Sequence, residues 1–379
     1  MKVSDIQNIV IVGAGPAGLY LSAFLTKHKI EHKLLEQAPR NKNLGFGILI
    51  QDSIFECLDQ IDISKKEVSV AKIKKLRALN NRGRRIIDVK LKGKPYYAME
   101  RGDLIKILRS KVVKSNIMTN KRVLSVFDLQ DYYLVKCLDG TLIKTRSIIG
   151  ADGIKSSVRN SLFHKRATWV VYSALYFWIK NRSKQTLEVI NDSGINNLVL
   201  PVNDKHSILS IVTTDRLDPI NKKPEQLCRE LLNSRGQDCQ DLLTDIYFKK
   251  NSLVTLVRRT KPFRFTKKYA VLIGDAAHGE TPILGWGTTM AIEDAYVLGR
   301  QIITNVDLKM AFLSYYQIRR KRTNTLHAIT TFEESTMGLM EGKKNRLREI
   351  FLFLLRPFDN VLYNSGRTLY RKLYNFDLG

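Results

Sequence analysis

A short β-branched run, Asn8-Ile9-Val10-Ile11-Val12, leads without a break into Gly13-Ala14-Gly15-Pro16-Ala17-Gly18. Consecutive apolar residues without alternation predict a strand buried on both faces, as in a parallel sheet. Ala17, Leu21, Phe24 and Leu25 then recur at helical spacing, and a second strand, Lys33-Leu34-Leu35, ends at Glu36, 18 residues after Gly18. Strand, glycine turn, helix, strand and acid in this order predict a dinucleotide-binding βαβ unit. Gly13 makes the tight turn, Gly15 lets a pyrophosphate approach the backbone, and Gly18 lets helix and strand pack closely. Pro16 and Ala17 open the helix, whose N-terminal N–H groups and partial positive charge suit phosphate. Glu36 can accept hydrogen bonds from ribose hydroxyls and would repel a 2′-phosphate, so the expected nucleotide is FAD or NAD rather than NADP.

The remaining length sets the scale. A chain of 379 residues has room for two or three lobes, and 44% hydrophobic with 26% charged residues is ordinary for a globular protein. The longest apolar candidate, Ile350 to Leu355, falls far short of the ~20 residues of a membrane-spanning helix, and the N-terminus does not read as a secretory signal. Four scattered cysteines (Cys57, Cys137, Cys228, Cys239) have no metal spacing, so the expectation is reduced thiols, no metal and a cytoplasmic protein. The net charge of +27 is concentrated at Lys72 to Arg85, at Arg319-Arg320-Lys321-Arg322 and at Lys343 to Arg348. Such runs are either solvated faces or surfaces for acidic partners. They lack interleaved aromatics and any nucleic-acid-binding motif, so no nucleic acid is expected.

Two later segments choose between FAD and NAD. A strand, Ser147-Ile148-Ile149, runs into Gly150-Ala151-Asp152-Gly153, followed by Ile154 to Arg159. Another, Tyr269 to Ile273, runs into Gly274-Asp275-Ala276-Ala277-His278, then Thr281-Pro282, Gly285-Trp286-Gly287 and a helix from about Thr288. Ala291, Ala295, Leu298 and Ile302 give that helix a buried face. With these motifs in this order, the chain resembles the single-component FAD-dependent aromatic hydroxylases, the group A flavoprotein monooxygenases that include 4-hydroxybenzoate hydroxylase. Gly47-Ile48-Leu49-Ile50-Gln51 and Arg84-Arg85-Ile86-Ile87-Asp88 are more weakly similar to the 4-hydroxybenzoate enzyme.

The resemblance implies roles for individual residues. Asp275, at a strand C-terminus, would meet a ribityl hydroxyl. Asp152 and Arg159 would lie in the motif associated with pyrophosphate and nicotinamide contacts. Arg101, at the start of a helix carrying Leu104, Leu108 and Val112, would reach the ribityl or phosphate region. Gly285 and Gly287 would let the backbone approach the flavin, with Pro282 beside the ring. N–H groups around Gly287, Thr288 and Thr289 would face the N1–C2=O edge, where charge develops on reduction. His278 reads as a packing residue rather than a base, and no catalytic residue is assigned. Trp286 stands where the family carries glutamine, Thr289 where it carries asparagine, and Gly45 where the 4-hydroxybenzoate enzyme carries arginine. A tryptophan there would narrow or cover one side of the flavin site.

The implied fold is α/β: a Rossmann-like FAD-binding domain from segments 1–70, 100–165 and 266–320, an inserted mixed β-sheet substrate domain from 71–99 and 166–265, and a helical C-terminal region, 321–379. In the substrate domain, strands are expected at Arg84 to Lys92, Trp169 to Ile179, Leu198 to Val202 and His206 to Thr213, with a helix over Pro224 to Thr244. Tyr172, Tyr176 and Trp178 could line a cavity or pack in the core. The implied activity is hydroxylation or epoxidation of an aromatic, polycyclic or isoprenoid compound with O2 and NADPH or NADH as a transient co-substrate, through a flavin C4a-hydroperoxide. Two other readings remain: a halogenase or isoprenoid reductase of the same fold, although the halogenase WxWxIP signature is missing at Tyr176 to Lys180, and a flavin-binding protein on a membrane surface. For the last, the basic tail with Phe351, Phe353, Leu354 and Leu355 would rest on anionic lipid.

Overall fold

The structure is a computed structural model, which describes residues 6–39, 45–80, 84–91, 96–165, 169–192, 195–213, 217, 221–233, 236–248, 250–282 and 285–336. Three sheets organise the described residues. The first holds β17 (Thr266–Lys267), β18 (Ala270–Leu272), β11 (Leu142–Gly150), β1 (Gln7–Val12), β2 (Lys33–Leu35) and β8 (Ile117–Met118) in that spatial order. The pairs from β18 to β8 are parallel. An antiparallel meander of β9 (Val123–Asp128) and β10 (Tyr133–Cys137) extends from β11. The central strand β1 is buried along Ile9 to Val12, as its unalternating sequence predicts.

Helix α1 (Pro16–Lys27) covers this sheet and packs against α3 (Arg101–Ser110) and α7 (Gly287–Thr304). Helix α7 is wider in its burial than its sequence pattern suggests: Thr289 to Gly299 are all buried, not one face alone. Such a helix belongs to the middle of a core, and α2 (Ser53–Asp59) and α8 (Leu308–Thr336) pack against other sides of it.

The second sheet runs β16 (Leu253–Arg259), β12 (Trp169–Lys180), β15 (His206–Thr213), β14 (Ile195–Pro201), β13 (Thr186–Asp192), β5 (Lys75–Asn80) and β6 (Arg85–Lys90). It is antiparallel except where β13 meets β5. Side chains alternate between its faces. Leu175, Phe177 and Ile179 of β12 point to a core shared with Leu227, Leu231 and Leu242, which lie on α4 (Pro224–Asn233) and α5 (Gln237–Thr244). Tyr176 and Trp178 point the other way. The single helix expected over Pro224 to Thr244 is therefore two, the second capped at its N-terminus by Gly236.

A third, small sheet of β3 (Gly47–Ile50), β7 (Tyr96–Glu100) and β4 (Ala71–Ile73) joins the two lobes. Phe46 and Leu49 pack in one cluster with Tyr176, Trp178 and Leu198. Four residues, Asp275–His278, form α6 between β18 and α7. No helix among the described residues is long and apolar enough to cross a membrane, and they contain no metal-ligating cluster. The basic run at Lys343 to Arg348 and the apolar residues at Phe351 to Leu355 lie outside the described residues.

Candidate active site

The glycine turn is built by backbone necessity. Gly13 has φ +100°, and a Cβ there would lie 2.5 Å from the Ala151 carbonyl oxygen, so any side chain would push the first turn away from the Gly150–Gly153 segment. A Cβ on Gly18 would lie 1.9 Å from the Gly13 carbonyl oxygen, which explains the close seat of α1 on β1. Gly15 differs: nothing lies within 4 Å of where its Cβ would be. Its missing side chain leaves open space at the N-terminus of α1, where Pro16 occupies the first turn, Ala17 is buried and no side chain caps the helix. Unsatisfied N–H groups beside vacant space make an anion cradle.

Glu36 closes one end of that cradle. Its carboxylate accepts the Ala14 N–H at 2.8 Å and the Ala38 N–H at 2.8 Å, one on each oxygen. Each oxygen keeps a further lone pair for an outside donor. Arg101 lies within the fields of both Glu36 and Asp275. Its burial pulls the guanidinium below its ordinary pKa, and the two carboxylates oppose that pull. The backbone N–H of Arg101 donates to the Phe46 carbonyl, and Gly45 lies against the Arg101 side chain, where a Cβ would come within 3.2 Å.

Asp275 begins α6 immediately after β18. Its side chain is solvent-exposed, yet the protein encloses it closely enough that desolvation raises its carboxyl pKa, against the attraction of His278 and Arg101. Its exposed carboxylate thus faces the space between Arg101 and the start of α7. The first residue of α7, Gly287, lies across from it, a Cβ there falling 3.9 Å from Asp275 Oδ1. Helix α7 starts without a side-chain cap, with Pro282 and Gly287 exposed and Thr288 half-buried. Thr289 is buried, and its hydroxyl accepts the Gln51 N–H at 3.2 Å, fastening α7 to the end of β3. Gly285 has φ +66°, and a Cβ there would collide with Leu49 at 2.8 Å, so the turn into α7 rests directly on β3.

Asp152 faces its own loop. Its Oδ2 accepts the Ser157 and Val158 N–H groups at 2.7 and 3.2 Å, while its buried Oδ1 has no partner among the described residues. Burial raises its pKa, opposed first by hydrogen bonding with the Ser156 side chain and then by these backbone N–H groups. Arg159 is only 1% exposed and forms no surface ion pair with it. The guanidinium instead donates to the carbonyls of Ile154, Lys165, Asp275 and Ala276, tying the Gly150–Gly153 segment to α6.

The sequence did not disclose how this frame is braced. Asp294 of α7 accepts the Gly274 N–H at 2.9 Å and is bonded to His278, and it pairs with Arg319 of α8 at 2.6 Å. Glu293 pairs with Arg319 at 3.1 Å and with Arg322 at 2.6 Å, and accepts the Ser53 hydroxyl at the start of α2. Burial works against charge on His278, but Asp294 outweighs it and raises the imidazole pKa. Burial likewise opposes ionisation of Asp294, yet His278 and Arg319 pull its pKa down to about 2. Two of the four cations in Arg319-Arg320-Lys321-Arg322 are thus interior ion-pair partners rather than a surface for acidic molecules. The readable signal was the Glu293-Asp294 pair inside the otherwise apolar run from Met290 to Gly299.

Trp286 also departs from expectation. It is 2% exposed and packs with Met290, Leu326 and Ile329, with the Arg322 guanidinium over its ring. The large apolar ring takes the dry α7–α8 interface rather than covering the groove.

The groove thus joins an uncapped helix start with room for phosphate, a carboxylate placed for ribose, a carboxylate with a cation near it, and a second uncapped helix start beside an aromatic surface. These groups fit a dinucleotide whose far end carries a flat ring. Residues 7–328 match the family model described as FAD binding domain. The chain belongs to this family of group A flavoprotein monooxygenases. It is 26% identical over 335 residues to the aurachin C monooxygenase/isomerase of Stigmatella aurantiaca, covering 83% of this chain and 86% of that one. It is 25% identical over 394 residues to the 3-amino-4-hydroxybenzoate 2-monooxygenase of Streptomyces cremeus, covering 95% of each. Its fold matches that of Klebsiella pneumoniae HpxO, solved with FAD and uric acid, with a TM-score of 0.83 at 18% identity and 96% coverage of both chains. The protein is an FAD-dependent monooxygenase.

Proposed function

We propose that this flavoprotein couples oxidation of NADPH or NADH to insertion of one oxygen atom from O2 into a small aromatic compound, and that the groove from Glu36 to Leu49 is its active site. The observation that carries this reading is the meeting of α1, Arg101, Asp275 and the start of α7 along one groove that ends on the aromatic face of the second sheet. Bound FAD supplies hydride acceptance and O2 activation. The rest belongs to the chain. Glu36 accepts the adenosine ribose hydroxyls, and the open N-terminus at Gly15 receives the pyrophosphate. Asp152 completes that end through its unpartnered Oδ1. Asp275 accepts a ribityl hydroxyl, with Arg101 compensating its charge.

At the far end, N–H groups of Gly287, Thr288 and Thr289 supply positive potential where negative charge gathers on reduction. Pro282 and Gly285 shape the backbone beside the ring. Phe46, Leu49 and the second sheet hold the aromatic substrate and exclude water. The test is a screen of aromatic, quinone and polycyclic compounds for those that accelerate NAD(P)H oxidation by the yellow protein. Each active compound should yield a product heavier by one oxygen. Accelerated oxidation that releases only peroxide would contradict the reading.

A further inference from the structure

The hairpin of β14 and β15 carries a group of cations that the FAD cradle does not use. A Cβ on Gly47 would lie 2.4 Å from Val202 and 2.8 Å from Ile208, so the start of β3 seals the base of that hairpin. His206 stands one side-chain position further toward the tip, on the same face as Ile208. Its Nε2 lies 2.9 Å from Lys250 Nζ, and the register sets Lys180 directly opposite it. Lys205 precedes it in the chain. Lys180, Lys205 and Lys250 are exposed, and His206 is half-buried.

The acids around this group are mostly engaged elsewhere. Asp245 pairs with Arg182 at 3.6 Å, Glu100 accepts from Asn203, and Asp204 is exposed at the hairpin tip. Lys180, Lys205 and Lys250 form no ion pair with a carboxylate among the described residues. Burial, Lys250 and Lys205 push the His206 imidazole below its ordinary pKa, against the pull of Glu100. That direction is the mark of surplus positive charge. The cations also stand among aromatic rings. Lys250 lies 5.3 Å over Trp178 and 5.2 Å over Tyr247, and His206 meets both rings edge-on at 5.8 and 5.7 Å. Tyr247 is exposed.

Clustered ammonium groups suit a phosphomonoester, which brings up to two negative charges and three strong acceptor oxygens. An exposed aromatic ring beside them offers a stacking surface to a base. The cluster also adjoins the flavin groove. Trp178 stacks on Phe46 at 6.4 Å, and the Phe46 carbonyl accepts the N–H of Arg101, the arginine in the field of Asp275. We propose that Lys180, Lys205, Lys250 and His206 bind the 2′-phosphate of NADPH, with its adenine on Tyr247, and so select NADPH over NADH. The proposal rests on the monooxygenase reading, in which a nicotinamide cofactor reaches the flavin from outside the FAD cradle. Charge then sorts the two nucleotides: Glu36 repels a 2′-phosphate at the cradle, and the hairpin cluster attracts one.

The test is calorimetric titration of the FAD-loaded protein with adenosine 2′,5′-bisphosphate, 5′-AMP and inorganic phosphate, which needs no turnover. The bisphosphate should bind about tenfold tighter or more than either of the others, with the margin shrinking as salt is raised. The double variant Lys205→Gln/Lys250→Gln should retain FAD and bind the bisphosphate and 5′-AMP alike. In anaerobic reduction of the bound flavin, NADPH should half-saturate the unaltered protein at a concentration about tenfold lower than NADH, and the variant at an equal one. Equal affinity for the bisphosphate and 5′-AMP in the unaltered protein, phosphate binding as tightly as the bisphosphate, or a preference that survives in the variant overturns the proposal. Reduction by NADH would leave the monooxygenase reading standing in each of those cases. A bound flavin that neither NADPH nor NADH reduces overturns the reading beneath it.

Discussion

Asp275 is the residue on which cofactor retention should turn. Its exposed carboxylate is the acceptor nearest the start of α7, and a hydrogen bond to a charged group contributes about 1.5–3 kcal/mol. Asp275→Ala should therefore weaken FAD binding about tenfold or more, read by quenching of flavin fluorescence on titration. Unchanged affinity would remove Asp275 from the site. Gly13→Ala is a harsher change. It combines φ +100° with a 2.5 Å approach to the Ala151 carbonyl, so the chain should melt lower by several degrees even with saturating FAD, as about 1–3 kcal/mol of backbone strain implies. Both positions were legible in the sequence because they are defined locally, by a strand end and a turn. Trp286 was not, because its orientation is decided by Leu326 and Ile329, some 40 residues on.

At the scale of elements, the brace between α7 and α8 makes pH a probe. His278 titrates above its ordinary value of 6.5 in the folded chain. Its contribution is complete below that value and disappears as pH rises through the raised folded pKa. Asp294 has the opposite sign: its contribution is complete above the ordinary value of 3.8 and is lost as pH falls toward about 2. The pair is thus most stabilising between roughly pH 4 and 6.5. Melting temperatures taken from pH 5 to pH 9 should fall on the alkaline side, and His278→Gln should flatten that fall. An identical slope in the variant would contradict the pairing. Arg319→Met should be worse at any pH, by about 3–5 kcal/mol, because it takes a shared cation from two buried carboxylates and leaves Asp294 with His278 and Glu293 with Arg322. Four strands of the second sheet, β6, β12, β14 and β15, were readable from apolar runs and alternation, to within a few residues at their ends, whereas β5, β13 and β16 were not. The ion-pair brace was not, since Arg319 and Arg322 look like any basic run until helix crossing places them against Glu293 and Asp294. The break between α4 and α5 escaped for a related reason, an amphipathic pattern continuing through Gly236.

Across the whole molecule, the parallel sheet and the second sheet divide the work. The first brings three glycine-bearing turns to one groove, and the second closes its end with a face of aliphatic and aromatic residues. The order of motifs along the chain made this division legible, but only the register of β12 could show that Tyr176 and Trp178 face β3 while Phe177 faces the helices. The net charge of +27 is partly spent inside, on Arg159, Arg319 and Arg322. Oxygen transfer by the assembled groove is the central claim, and it is tested by turnover under labelled O2 with an aromatic compound that accelerates NAD(P)H oxidation. The account predicts a product carrying one labelled oxygen atom per molecule, with none formed by the FAD-free protein; a product labelled from water instead, or the same product without FAD, would contradict it.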